Sequence, residues 1–381
     1  MMLRVSEPIL GDEERSALLD VIDSGWITMG PRVEAFEAEF ARTHAASQAV
    51  AVNSCTSGLH LSLVAFGIGP GDEVLVPSLT FVASANSILY TGATPVFVDI
   101  ASLETPLMCI EDAAAKVTPR TRAVLLVHFA GYVLGRDLWT AFAREHNLIL
   151  IEDAAHAAGA RSAGTFGSAA IFSFYGNKNM TTAEGGMILV ADDALAEQMR
   201  RLRAHGLTST GYERMAVRSS SYDVPMLGFN YRMDELRAAL GMVQLRSLFE
   251  WNEKRRQLTG TYHQILRAQQ DTVVMPFALE YGGGTADSSY HILPVVLPPD
   301  APRSAVMRRM LEDEIQTTIH YPPCHHLSYY ERTQPGVLLP KTEEFGRREL
   351  TLPLYPGMET DDVARVCLSL QAAVRHAQHE A

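Results

Sequence analysis

The stretch "AIFSFYGNKNMTTAEGGMILV", Ala170 to Val190, sets a single lysine, Lys178, between two apolar runs, with Ser173 behind it and Gly185 and Gly186 ahead. An amine held at the mouth of a buried strand can serve as a covalent nucleophile or as a proton carrier. Two other places put polar residues directly after apolar runs. "NLILIEDAAHA" ends in Glu152 and Asp153, and "AVNSCTSGLHLSL" turns from Asn53 through Cys55, Thr56, Ser57 and Gly58 into a helical pattern. Each has an ordinary structural reading: Asp153 as a helix cap, Lys178 as a solvated loop lysine, Thr56 or Ser57 as an N-cap.

The elements that must position these groups are legible as alternating patterns. "DEVLVPS", "TPVFVDI", "RAVLLVHF", "NLILIEDA", "AAIFSF" and "GMILVADD" read as strands buried on both faces, and Ser84–Tyr90 and Leu138–His146 read as helices between them. Such alternation predicts an α/β fold with a largely parallel sheet between helical layers. Ligands then gather at the carboxyl ends of the strands, which is where the three polar places fall. The 381 residues suit about two domains. "NEKRRQLTGTYHQILR", Asn252 to Arg267, reads as a long helix, followed by a loop around Gly282–Gly284 and a strand in "HILPVVLPP". We place the boundary near Phe249, giving units 1–249 and 250–381, with the N-terminal segment packing on the smaller one.

Together, an amine, a carboxylate and a Ser/Thr-rich helix start match the needs of pyridoxal 5'-phosphate (PLP). That cofactor requires a lysine for its Schiff base, a carboxylate for its pyridinium nitrogen, and donors for its phosphate. The chain resembles the DegT/StrS family of PLP-dependent aminotransferases along nearly its whole length. The resemblance rests on "SGWITMGPRVEAFEAEFA", "NSCTSGLHLSL", "VPSLTFVASANSILYTGATPVFVDI", "HFAG", "IEDAAHAAGA", "FSFYGNKNMTTAEGGMILV" and "GFNYRMDELRAALG", in that order.

What the resemblance implies is specific. The fold expected is aspartate-aminotransferase-like, PLP-dependent transferase fold type I, with a mixed, mostly parallel seven-stranded sheet and a smaller C-terminal α/β domain. Lys178 is expected to carry the Schiff base and Asp153 to face the ring nitrogen. Ser173, Thr56 and Ser57 would cradle the phosphate, Phe81 would stack on the ring, and His156 would stand near the cofactor hydroxyl. Asn230 is expected to reach the phosphate of a neighbouring subunit, which implies a homodimer with shared active sites. The reaction implied moves an amino group from an amino acid, expected to be L-glutamate, to a nucleotide-linked keto-deoxysugar. "HFAG" and "FYGNKNMTTAEGG" favour the 4-keto position over a 3-keto sugar or a cyclitol ketone.

Composition excludes other classes. A net charge of −12 opposes a nucleic-acid or anionic-membrane partner. No apolar run is long enough for a membrane span or signal peptide, and Cys55, Cys109, Cys324 and Cys367 are single and widely spaced, so the expectation is a cytoplasmic protein with free thiols and no metal. Two further readings use the same scaffold: a PLP-dependent sugar dehydratase, disfavoured by Lys178 and the scattered cysteines, and a cofactor-binding regulator without turnover. "HYPPCHHLSYY" offers His320, Cys324, His325 and His326 as a metal set, against the reading of a loop lining the sugar pocket. Ala183 stands where the family pattern has glycine, "YVLGRD" lacks a usual proline, and "GARSAGTFGSAAIF" is short.

Overall fold

The computed structural model describes residues 2–209, 211–216, 221–269, 273–278 and 287–380. Gly282–Gly284, read as a loop, lie outside them. Nine strands are present: β1 (Gln48–Val52), β2 (Glu73–Pro77), β3 (Thr94–Val98), β4 (Thr121–Val127), β5 (Ile149–Asp153), β6 (Ala169–Ser173), β7 (Gly186–Val190), β8 (Leu293–Val296) and β9 (Glu349–Leu352) among the described residues. The first seven form one sheet in the order β1-β7-β6-β5-β4-β2-β3, and the last two form an antiparallel pair. Five neighbouring strands from β3 to β6 run parallel, while β7 is antiparallel to both β1 and β6. The expected mixed, mostly parallel seven-stranded sheet is therefore what the chain forms.

Side chains of successive strand residues point to opposite faces, so a strand covered on both sides must be apolar at every position. Val74, Val76, Leu125, Ile151, Ile171 and Ile188 join one core. The alternate residues Leu75, Val124, Leu126 and Leu150 join a second, and Ala170, Phe172, Met187 and Leu189 a third. Burying each large apolar side chain stabilises the fold by about 1.5–3 kcal/mol. β1, "QAVAV", was not among the predicted strands. Its alanines carry little strand signal, and it is held by its pairing along the whole of β7.

The long helix is longer than "NEKRRQLTGTYHQILR" indicates. It runs from Glu235 to Ala268, and Asp234 caps it by accepting the Arg237 amide at 2.9 Å. Its early residues Ala238, Leu245 and Leu248 pack under the large sheet. Its later residues Leu258, Tyr262 and Leu266 enter a separate core with Leu3, β8, β9 and the helix Thr360–Glu380. Among the described residues no helix is long and apolar enough to cross a membrane.

Candidate active site

Lys178 lies in the connection between β6 and β7, which pair antiparallel with Ser173 opposite Gly186. The loop is closed below the lysine, where the Phe174 amide donates to Gly185 (3.0 Å) and Thr182 donates back to Phe174 (2.9 Å). A turn from Lys178 N to Tyr175 O then lifts the side chain over the strand ends. Its amine is enclosed, and burial lowers its pKa to about 8, with Cys55 and Asp153 opposing the shift. A buried amine whose pKa lies near neutrality can both take and release a proton.

A cavity of about 500 Å³ opens at this point. It brings together Lys178, Asp153, His156, Ser173, Thr56 and Phe81, six of the residues expected from sequence. Asp153 ends β5 and accepts from Ser84 Oγ at 2.7 Å and the Ala155 amide at 3.1 Å. Burial raises its pKa while these two bonds work to lower it. Its neighbour Glu152 points through the other face of the sheet, where it meets His128 Nε2 at 2.9 Å and the amides of Gly164 and Gly167. Of the two adjacent carboxylates, only Asp153 is available to a ligand.

The helix Cys55–Ala65 points its first turn at the cavity. Its N-cap is Ser54, whose Oγ accepts the Ser57 amide at 3.1 Å and pairs with Ser57 Oγ at 2.9 Å. Thr56 and Ser54 line the cavity, whereas Ser57 supports Ser54 from behind. β7 passes very close here: a Cβ on Gly186 would lie 2.8 Å from Cys55 N, so glycine is needed for the approach. Phe81 is 58% exposed at the rim, with its ring 5.8 Å from that of Tyr321.

Asn230 is not part of this cavity. It is exposed and borders a second one, with Trp26, Arg214 and Arg232. The sequence reading missed Ser54, Ser84 and Tyr321 as site residues. His320 and Tyr321 do line the cavity, but the metal set is divided. His320 Nδ1 lies 2.9 Å from Thr351 Oγ1, and Cys324 Sγ lies 3.4 Å from the Thr80 carbonyl. His325 and His326 lie instead near Glu343, whose Oε1 already accepts the Leu339 amide at 2.9 Å. All four cysteines are free and buried. Ala183 adopts φ 66°, the left-handed backbone that favours glycine, which accounts for the glycine expected there.

The donor set fits PLP. Two polar atoms on the cavity wall, His156 Nδ1 and Asn177 Oδ1, are buried without a hydrogen-bond partner. Such atoms are costly unless a ligand meets them. A carboxylate, a helix N-terminus and an amine lining one cavity make a site for an aromatic ring bearing a phosphate.

A profile of the DegT/DnrJ/EryC1/StrS aminotransferase family matches residues 8–371. The chain belongs to that family. It is 39% identical over 389 residues to the spore coat polysaccharide biosynthesis protein SpsC of Bacillus subtilis (strain 168), covering 98% of each chain. Among solved structures it is similar to DesI, determined in the presence of its TDP-sugar product, with a TM-score of 0.87 and 31% identity over 100% of this chain and 94% of that one. It is also similar to the PLP form of Spr1654 from Streptococcus pneumoniae, with a TM-score of 0.89 and 26% identity over 99% and 100%. The family member described here is a PLP-dependent sugar aminotransferase.

Proposed function

We propose that this aminotransferase moves an amino group from L-glutamate to the 4-keto position of a nucleotide-linked deoxysugar. The observation that carries the reading is the enclosed Lys178 amine in one cavity with Asp153 and the helix start at Ser54. The TDP-sugar product of DesI supports the nucleotide linkage.

PLP, when bound, supplies the electron sink that lets a C–H bond beside nitrogen ionise. The chain's own groups do the rest. Asp153, ionised, holds the proton on the ring nitrogen, and Ser84 fixes its carboxylate. Thr56, Ser54 and Ser173 receive the phosphate, and Ser57 holds Ser54 in place. Phe81 covers a ring face, and His156 Nδ1 meets the ring hydroxyl. Lys178 anchors the cofactor in the resting enzyme. Once free, its amine would take the α-proton of the donor and release a proton to the carbon that ends up bearing the amino group. The reverse order of events aminates the ketone.

The functional unit in this reading is a cytoplasmic homodimer, in which Asn230 serves the partner's cofactor phosphate. Its exposure outside its own cavity supports that role, and the four free thiols suit a reducing compartment. The division near residue 250 is supported by the separate core of the C-terminal part.

The test is a panel of nucleotide-linked 4-keto and 3-keto deoxysugars and a cyclitol ketone, each incubated with the holoenzyme and L-glutamate and followed by mass spectrometry. Amination of the 4-keto sugars is expected. Amination confined to the other ketones, loss of water, or cofactor binding without turnover would each replace the proposal.

A further inference from the structure

Behind Lys178 runs a chain of hydrogen bonds whose direction can be worked out from its ends. The Ala158 carbonyl can only accept, so the Asn252 atom 2.9 Å from it is Nδ2. Asn252 Oδ1 therefore faces Asn179 at 2.6 Å, and that contact together with the Ser289 carbonyl at 2.7 Å makes the facing atom of Asn179 its Nδ2. Asn179 Oδ1 is then left for His291 Nδ1, 2.7 Å away, which must carry a hydrogen. A neutral His291 consequently presents a bare lone pair at Nε2, and this nitrogen lies 3.5 Å from Lys178 Nζ. Among the described residues no other hydrogen bond to that amine is present.

His291 is also kept neutral. It is buried, and burial is the main cause holding its pKa well below the ordinary value. His156, Lys178, His320 and Arg255 all act in the same direction. Arg255 brings a guanidinium whose Nε and Nη1 are buried without hydrogen-bond partners. A nearby cation disfavours a second one on the imidazole.

We propose that His291 is a positioning residue for Lys178: its Nε2 accepts an N–H from the free amine and so turns the amine's lone pair toward the donor's α-carbon. The Asn179–Asn252 pair sets the tautomer this requires. The inference rests on Lys178 being the reacting amine. The contact matters when Lys178 is not bound to the cofactor, which is the interval in which it moves protons. Misdirecting an amine at this step costs roughly 10- to 100-fold in rate.

Two measurements on the holoenzyme test it. In protein labelled with 15N-histidine and loaded with pyridoxamine phosphate, His291 should show a protonated Nδ1 and an unprotonated Nε2 from pH 6 to 8, its signals being assigned by their loss in His291→Gln. Protonated Nε2, or an imidazolium at pH 7, overturns the proposal. In single-turnover reaction with L-glutamate, His291→Phe should slow the half-reaction roughly 10- to 100-fold. It should also enlarge the isotope effect of α-deuterated donor while leaving the donor's Kd unchanged. Slowing without a larger isotope effect would mark a role in packing alone and overturn the proposal, as would an unchanged rate. Borohydride reduction of the PLP form, followed by peptide mapping, separates the two levels. A tag on a lysine other than Lys178 removes the underlying assignment, whereas a tag on Lys178 with the opposite tautomer at His291 removes only this inference.

Discussion

Tyr321 Oη lies 2.9 Å from His156 Nε2, so a residue from the C-terminal part of the chain closes a site built mainly at the ends of β5 and β6. Burial pushes the Tyr321 pKa up and the His156 pKa down, leaving a protonated phenol and a neutral ring. With the phenol donating to Nε2, the proton of His156 sits on Nδ1, the nitrogen with no partner in the structure. Tyr321→Phe frees that tautomer. Cofactor affinity should fall by about 1 kcal/mol, roughly five-fold in Kd, as measured by equilibrium dialysis. An unchanged Kd would show that Tyr321 does not govern the ring.

The lowered pKa of Lys178 predicts a pH signature in the cofactor-free protein. The unfolded lysine keeps its proton up to about pH 10.4, whereas the folded one releases it at about 8. Between these values the unfolded chain binds more protons, so this residue makes stability rise with pH. Below pH 8 the buried charge costs roughly 3 kcal/mol. Lys178→Met should therefore melt higher than wild type at pH 7, and the gap should close toward pH 10.5. A difference between the two melting curves that does not vary with pH would refute the buried-ammonium account.

Asp153→Asn removes charge while keeping shape. Oδ1 of the asparagine can still accept the Ala155 amide, and its Nδ2 can donate to Ser84 Oγ, a hydroxyl that also accepts, so the fold should hold. Losing a charged hydrogen bond to the ring nitrogen should weaken cofactor binding by roughly 1.5–3 kcal/mol, and turnover should fall by several orders of magnitude. Near-normal turnover would mean that another group keeps the ring protonated.

The exposed position of Asn230 predicts complementation. Lys178→Ala and Asn230→Asp should each be nearly inactive, the second because a carboxylate would face a phosphate in a site of low dielectric. In a mixed dimer one site carries both defects and the other neither. With random exchange about half the dimers are mixed, so roughly a quarter of wild-type activity should return. Mixed dimers, verified with two affinity tags, that stay inactive would place Asn230 in its own subunit's site or outside the chemistry.

How far the sequence alone reached depended on the kind of signal. β2 to β7 were legible because strands buried on both faces must be apolar throughout; Lys178, Asp153 and Thr56 each have an ordinary structural use alone, and it was their combination that pointed to one site, the cavity they share. Glu152 and Asp153 could not be told apart by type. Which of the two faces the ligand depends on the face each takes, and only packing decides that. Ser84, Tyr321 and His291 were not readable either, since each reaches the site or the lysine behind it from a distant part of the chain through a tertiary contact. Ser57 was read correctly as part of the helix start, but its hydroxyl is turned to Ser54.

Among the described residues β1 pairs with β7 alone, and this has a consequence for the nascent chain. On the ribosome, β1 emerges long before β7 exists. At 5–20 residues per second the wait is roughly 7–30 seconds. During that time a buried-type strand has both edges open, which invites contact with other chains. Truncated products ending before Gly186 leave β1 permanently unmatched, so a chaperone that covers residues 48–52 early in synthesis would protect yield without altering the finished enzyme.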